Sequence, residues 1–330
     1  MNLQSIKWSG RQISKPGLYS NIPMEAYHNP FICAGDRPLP DGVKIEGITT
    51  FGPSISSSGL RKMFSESPAH FYCEWRGNPK AIPQEDKAHF RIGRAVHHLM
   101  LGERYFHKLF AVQPDEWPDE HGVLRLWNNN RDVCRKWNED RRREGRAPLT
   151  KADVTAIKNM IIALQNNPII QAGALNGLIE RSLFWKDKET GIWLKARPDS
   201  IPNDSGDFVD LKTTHSTAWR DMVRTIEDNG YYQQGALICE GARTILKINN
   251  PTFTLIFAEK KPPYWSRVVH VKENDLKLGS EVNRWAIDKF AECLKSGEWP
   301  GPGGYQQDAV GIEISEIARK QIQDRITYGV

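Results

Sequence analysis

The sequence predicts a mixed α/β domain: a central sheet flanked by helices, behind a helical arm. Three observations carry this. From about residue 179 onward, apolar runs of strand length alternate with longer segments of helical period. Between residues 54 and 171 helical patterning dominates. With 330 residues, 39% of them hydrophobic, the chain can bury one large core.

The elements follow in order. Residues 1–53 hold Pro16, Pro23, Pro30, Pro38, Pro40 and Pro53 and read as a loop-rich segment that wraps the domain. Ser56 or Ser58 is placed to cap a helix through Phe64, and Ser67-Pro68 to start the next. A third helix, residues 86–101, carries His97. Residues 124–143 are polar and basic, with Trp127 and Trp137 at helical spacing, and continue the helical arm. Thr150-Lys151-Ala152-Asp153 opens a helix through Leu164. Residues 178–185 form the first strand and include Glu180. Residues 192–201 form a second, a Pro202-Asn203-Asp204-Ser205-Gly206 turn follows, and residues 208–213 form a third. Helices are expected over 219–226 and 231–246, strands over 252–258 and 266–271, and a closing helix over 274–294. The division is a wrap over 1–53, one domain over 54–300 (mainly helical over 54–175, sheet core and helices over 176–300) and a tail over 301–330. There is no internal repeat.

The most informative residues are Asp199 in Ala196-Arg197-Pro198-Asp199, and Asp210 and Lys212 in Phe208-Val209-Asp210-Leu211-Lys212-Thr213-Thr214. Strand residues two apart point the same way, so Asp210 and Lys212 share a face, roughly 7 Å apart. Leu211 turns its side chain into the core and leaves its carbonyl near them. Asp199, at the end of the neighbouring strand, meets Asp210 across the ladder. Two carboxylates so close repel unless a cation lies between them, and a hard divalent ion prefers such oxygens. The blander reading is two solvated carboxylates at hairpin ends. Acid-x-Lys is common, and Asp275-Leu276-Lys277 repeats it where a helix begins. An apolar strand around Asp210 and a second Asp on the preceding strand set this instance apart.

With its flanks, the pattern resembles the PD-(D/E)XK nuclease superfamily, and within it the RecE-type exonuclease VIII group of phage and prophage recombination exonucleases. The likeness covers residues 54–299. Its pieces occur in order: Ile55-Ser56-Ser57-Ser58-Gly59-Leu60 with Ser67-Pro68-Ala69-His70-Phe71, then Gly93-Arg94-Ala95-Val96-His97, Arg197-Pro198-Asp199, Asp210-Leu211-Lys212-Thr213-Thr214, Tyr231-Tyr232-Gln233-Gln234 and Glu298-Trp299-Pro300. The resemblance implies a restriction-endonuclease-like core. It makes His97, Asp199, Asp210 and the Leu211 carbonyl metal ligands, and Lys212 the group that orients water or stabilises charge. Gln234 would face the scissile phosphate, and Glu180 would either support the ligands from behind or face the substrate. Relatives that carry Tyr four residues after the Gln differ here, where Ile238 stands, which leaves Tyr231 or Tyr232 for that place. Without the resemblance, His97 reads as a satisfied structural histidine and Gln234 as a helix-surface amide. Glu180 and Lys195 then read as a cross-strand ion pair, and Arg197 as a phosphate ligand or the partner of an acidic neighbour. His98 lies about 100° around the helix from His97.

The implied chemistry is Mg²⁺-dependent phosphodiester hydrolysis, with Mn²⁺ as a substitute. No Gly-x-Ser-x-Gly elbow, His-Glu-x-x-His helix or Walker A loop is present, so neither a serine nucleophile, a zinc helix nor ATP use is expected. The net charge of +5 is mildly basic. Arg131 to Arg146, with Arg141-Arg142-Arg143, is a candidate DNA-backbone contact, against which stand Glu139, Asp140 and Glu144 as neutralising neighbours on a solvated helix face. The five cysteines are scattered, which argues for a reducing compartment and against structural zinc or an iron–sulfur cluster. With no signal-peptide core and no apolar run of membrane length, the expected location is the cytoplasm, that of a bacterial host if phage-encoded. The resemblance implies 5′-to-3′ digestion of double-stranded DNA ends, a ring-like homo-oligomer and a single-strand annealing partner. The alternatives are an endonuclease on the same core, or a non-catalytic DNA-binding scaffold.

Overall fold

The computed structural model describes residues 3–82, 88–101, 106–202, 205–304, 309 and 311–329. The expected helix start at Asp86 and the turn residues Asn203 and Asp204 lie outside them. The elements used below are β1 (Gly17–Ser20), β2 (Ser54–Ser56), α1 (Ser57–Ser65), α2 (Pro68–Glu74), α3 (Ala88–Met100), α4 (Asp132–Arg143), α5 (Lys151–Gln165), β3 (Gly177–Ile179), β4 (Ser182–Lys186), β5 (Trp193–Ala196), β6 (Ser200–Pro202), β7 (Asp207–Thr214), α6 (Trp219–Asp228), α7 (Tyr231–Gly241), β8 (Thr252–Glu259), β9 (Ser266–His270) and α8 (Glu273–Ser296).

Two five-stranded sheets organise the chain. One runs Ile6–Lys7, β1, β4, β5, β2; the other runs β3, β6, β7, β8, β9. β7 and β8 are parallel and in register from Asp207↔Thr252 to Thr214↔Glu259. Parallel neighbours need a crossover, and α6 and α7 supply it. The second sheet packs apolar side chains on both faces. Phe208, Leu255 and Phe257 join the largest core cluster with Leu237 of α7 and Phe290 of α8. On the opposite face Val209, Leu211 and Ile256 pack with Val96 of α3 and Met160 of α5.

The sheets are joined by one bent hairpin. Its outer half, β3 with β6, belongs to the second sheet, and its inner half, β4 with β5, to the first. Residues 192–201 are therefore not one continuous strand: the chain changes sheet at Arg197-Pro198-Asp199. Pro198 has no N–H to give a ladder and restricts Arg197 before it, so a sheet change is favoured there. The opposing arm bends at Glu180, whose φ is +52°. Glu180 therefore stands at a corner rather than on a strand. Its N–H donates to the Asp199 carbonyl at 3.2 Å across the bend.

Several local expectations hold for the reasons given. Thr150 and Asp153 form a reciprocal capping box at the start of α5. Ser67 accepts the His70 N–H ahead of Pro68. Others change. Ser56 occupies the cap position of α1 without a side-chain cap bond, and its hydroxyl lies 3.0 Å from that of Ser58. Residues 124–143 are not helical throughout: Leu124–Leu126 pairs antiparallel with Glu116–Pro118, and α4 begins only at Asp132. Trp127 therefore lies outside the helix, edge-on to Trp137 at 5.4 Å. The helix expected to reach residue 246 closes as a π turn over Ala242–Leu246. Asp275 sits in the first turn of α8 rather than at its cap. All five cysteines are free.

The N-terminal segment lies against the hinge hairpin. Arg197 donates to the Ile22 carbonyl at 2.9 Å and to the Ser182 hydroxyl at 2.8 Å. Lys195 donates to the Tyr27 carbonyl at 2.7 Å. The expected Glu180–Lys195 pair does not form, because Lys195 points under Tyr27. Glu180 pairs instead with Arg197, at 3.6 Å.

Candidate active site

β7 carries the centre of the site because its two faces differ. Alternation sends Val209 and Leu211 into one core and leaves Asp210 and Lys212 together on the other face. Asp210 is only 2% exposed. A buried carboxylate needs partners, and two are built in. The Gln234 amide of α7 donates to Asp210 Oδ1 at 2.8 Å. The Lys212 ammonium is ion-paired with Oδ2. Gln234 is thus a buried amide rather than a surface one, and among the described residues its own Oε1 meets no donor. Lys212 Nζ also lies 4.7 Å from the centre of the Tyr231 ring, and Arg61 lies 5.7 Å from the same ring.

The hairpin corner brings the second carboxylate. Ser200 of β6 faces Val209 of β7, so Asp199 stands beside the Asp210–Leu211 step. Its Oδ2 accepts the Leu211 N–H at 2.6 Å. α3 brings the imidazole. His97 Nε2 lies 2.5 Å from the Leu211 carbonyl oxygen, and Nδ1 lies 3.4 Å from Asp199 Oδ2. α3 comes close to β7 at a glycine: a Cβ on Gly93 would stand 3.0 Å from the Thr213 hydroxyl, tighter than ordinary contact. His98 is buried beside the stacked rings of Phe106 and Phe110, at 6.1 and 6.2 Å from their centres. The structure therefore gathers His97, Asp199, Asp210, the Leu211 carbonyl, Lys212 and Gln234 at one place, with Glu180 at its rim.

The electrostatics follow from burial and charge. Burial drives the His97 pKa below its ordinary value, against the raising pull of Asp210, so the ring is neutral near pH 7. With the Nε2 hydrogen assigned to the Leu211 carbonyl, Nδ1 presents a lone pair to the Asp199 carboxylate. Two electron-rich atoms facing each other are what a cation relieves. Burial works to lower the Lys212 pKa, but Asp210, Tyr231 and Asp199 outweigh it and the net shift is upward, so the ammonium is retained. Among the described residues no group of three or more His, Cys, Asp or Glu side chains forms a ready-made metal cage. Here one donor is a main-chain carbonyl and Asp210 is held by Lys212. The donors, two carboxylates, a carbonyl and a neutral imidazole, fit a divalent cation of the Mg²⁺ or Mn²⁺ kind.

The site opens into a cleft of about 1300 Å³. Its walls include Arg91 and Arg94 of α3, Arg142 of α4, Arg146 and Lys260, residues distant in sequence. The basic segment anticipated at Arg131 to Arg146 splits: Arg142 and Arg146 border the cleft, Arg146 also lying 3.5 Å from Glu144, whereas Arg141 pairs with Glu144 at 2.8 Å and Arg143 lies 3.5 Å from Asp140. Arg94 lies within the Gly93-to-His97 motif, but the sequence assigns no role to it or to Arg91. Their signal was present as three- and six-residue offsets from His97 on one helix.

Fold and site together define a PD-(D/E)XK-like domain. The chain belongs to the family described as "PDDEXK-like domain of unknown function (DUF3799)", whose model matches residues 56–307. Among solved structures it resembles one from Eubacterium rectale described as a "putative exonuclease", at 17% identity and a TM-score of 0.51, over 84% of this chain and 94% of that one. The structure of SSO0001 aligns at 12% identity over 61% of this chain and 85% of its own, with a TM-score of 0.26. No curated protein matches. Among the described residues no helix is long and apolar enough to cross a membrane.

Proposed function

We propose that this chain is a divalent-metal-dependent deoxyribonuclease, and specifically an exodeoxyribonuclease acting on double-stranded DNA ends. The observation that carries the reading is the meeting of His97, Asp199, Asp210 and the Leu211 carbonyl beside the Lys212 ammonium. These four groups would hold the cation. When bound there, a divalent cation lowers the pKa of an attacking water and neutralises phosphate charge. Lys212 keeps its proton and offers a fixed positive charge to the developing phosphate charge. Gln234 fixes the Asp210 carboxylate through Oδ1 and sets the direction in which Oδ2 faces. Glu180, held by Arg197 at the corner, stands at the substrate side of the cleft. No protein nucleophile is required.

The 5′-to-3′ direction, a recombination role, a ring-like homo-oligomer and a single-strand annealing partner rest on the likeness to the RecE-type group. The likeness to the Eubacterium rectale structure supports the fold alone. Incubation of linear and closed-circular plasmid with Mg²⁺ tests the reading. Loss of the linear form alone is the expected result. Nicking of circles identifies an endonuclease, and DNA binding without loss of either form identifies a scaffold. End-labelled duplexes then give the direction, and light scattering gives the subunit number.

A further inference from the structure

Six Arg and Lys side chains line the cleft beside the acidic Glu180 and Asp199. Lys212 is already paired with Asp210, and Arg146 lies 3.5 Å from Glu144. Two of the six stand in a fixed relation to the site. Arg91, Arg94 and His97 occur at three-residue intervals on α3. Residues three apart are neighbours on a helix surface. Each interval advances about 4.5 Å along the axis, so Arg91 lies about 9 Å from the level of His97. The helix thus presents two cations within about 9 Å of the level at which the imidazole meets the Leu211 carbonyl. Arg94 is exposed and Arg91 half-buried, and both border the cleft. Gly93, between them, lets α3 approach Thr213, the residue after Lys212, so the row is pinned to the catalytic strand.

We propose that Arg91 and Arg94 bind the backbone of the strand being cut, so that the substrate is extended, polymeric DNA laid along α3 with its scissile phosphate at His97. This rests on the nuclease reading above. It makes both arginines binding residues, remote from the reacting atoms, whose contribution is to hold the strand rather than to assist bond breaking. Arginine suits the task because its planar fork meets phosphate oxygens in pairs.

The test uses the full chain and a short fluorescent duplex, with Ca²⁺ replacing Mg²⁺ in the binding arm to slow cleavage. Binding is followed by anisotropy across a salt titration. Each phosphate contact removed lowers the slope of log K against log salt by about 1. Arg91→Ala with Arg94→Ala together should lower that slope by about 2 and weaken binding at least tenfold at about 0.1 M salt. In steady-state cleavage the loss should appear in KM more than in kcat. Arg91→Lys with Arg94→Lys keeps the charges and should restore most of the slope. Thermal unfolding, run in parallel, separates loss of binding from loss of fold. An unchanged slope in a folded double alanine variant, or a slope that lysine does not restore, overturns the proposal. If the wild-type protein itself neither binds nor cleaves DNA, the nuclease reading fails first and independently.

Discussion

Asp199 and Leu211 are joined by a short hydrogen bond: the carboxylate at the hairpin corner accepts the Leu211 N–H at 2.6 Å. One side chain thereby ties the point where the chain changes sheet to the middle of β7. The Leu211 carbonyl, on the other side of the same residue, meets His97 at 2.5 Å. The main chain at Leu211 is held from two directions, and this sets where its carbonyl and the flanking Asp210 and Lys212 lie.

That bond separates the structural role of Asp199 from its charge. Asp199→Ala removes the acceptor and leaves a buried N–H unpaired, a loss of roughly 1.5–3 kcal/mol for a bond to a charged group. Asp199→Asn keeps an acceptor of the same shape and should cost less than about 1 kcal/mol by urea denaturation. Both should lower cleavage at least a hundredfold. An Asn variant that cleaves at the wild-type rate would show that the carboxylate serves only as a crossbar.

Asp210 and Lys212 form a coupled pair, because Asp210 is buried and Lys212 is its cation. Lys212→Met leaves a buried carboxylate without its counter-charge, and Asp210→Asn leaves a largely buried ammonium without its anion. Either single change should cost roughly 3 kcal/mol, and the double change less than the sum, since it removes both charges together. All three variants should be inactive in the plasmid assay. Additive stabilities in the cycle would mean that the two groups do not interact.

Much of this was readable in the sequence, and the exceptions have definite physical reasons. Asp210, Leu211 and Lys212 were legible because strand alternation fixes which side chains share a face. His97 and Gln234 were placed by resemblance, since a lone imidazole or amide on a helix carries no signal for the strand it will meet 114 or 24 residues away. Glu180 was misplaced onto a strand, and residues 192–201 were read as unbroken. The bend is set by which sheet each half of the hairpin joins, a long-range choice to which Pro198 gave the one local clue. Arg91 and Arg94 were missed because their meaning depends on α3 lying against Thr213.

Metal binding should be visible without any assay of cleavage. A ligand that binds only the folded state stabilises it by about 2.7 kcal/mol at a hundredfold excess over its Kd. Addition of Mg²⁺ or Mn²⁺ should therefore raise the melting temperature by several degrees, and EDTA should reverse the rise. His97→Ala and Asp210→Asn should lose most of this response. Equal shifts in wild type and variants would place the bound ion elsewhere.

Lys195 offers a pH test of how the N-terminal segment is held. Its ammonium is buried, donates to the Tyr27 carbonyl at 2.7 Å and lies 5.4 Å from the Tyr27 ring. Burial pushes its pKa down to about 8, and the Arg197 charge acts in the same direction. The unfolded chain holds that proton to about pH 10.4. Below pH 8 both states are protonated, and the buried charge imposes a constant penalty. Between pH 8 and 10.4 the unfolded state binds more protons, so this residue makes the unfolding free energy rise with pH. Cys33 acts in the opposite sense, because burial holds its thiol neutral up to about 12 while the unfolded thiol ionises earlier. The comparison therefore belongs in a Cys33→Ala background. There, urea denaturation should show the Lys195 chain gaining about 1–2 kcal/mol relative to Lys195→Met between pH 8 and 10. A flat difference across that interval would mean that the ammonium is solvated, and that the contact between Lys195 and Tyr27 does not seal the N-terminal segment over the hinge.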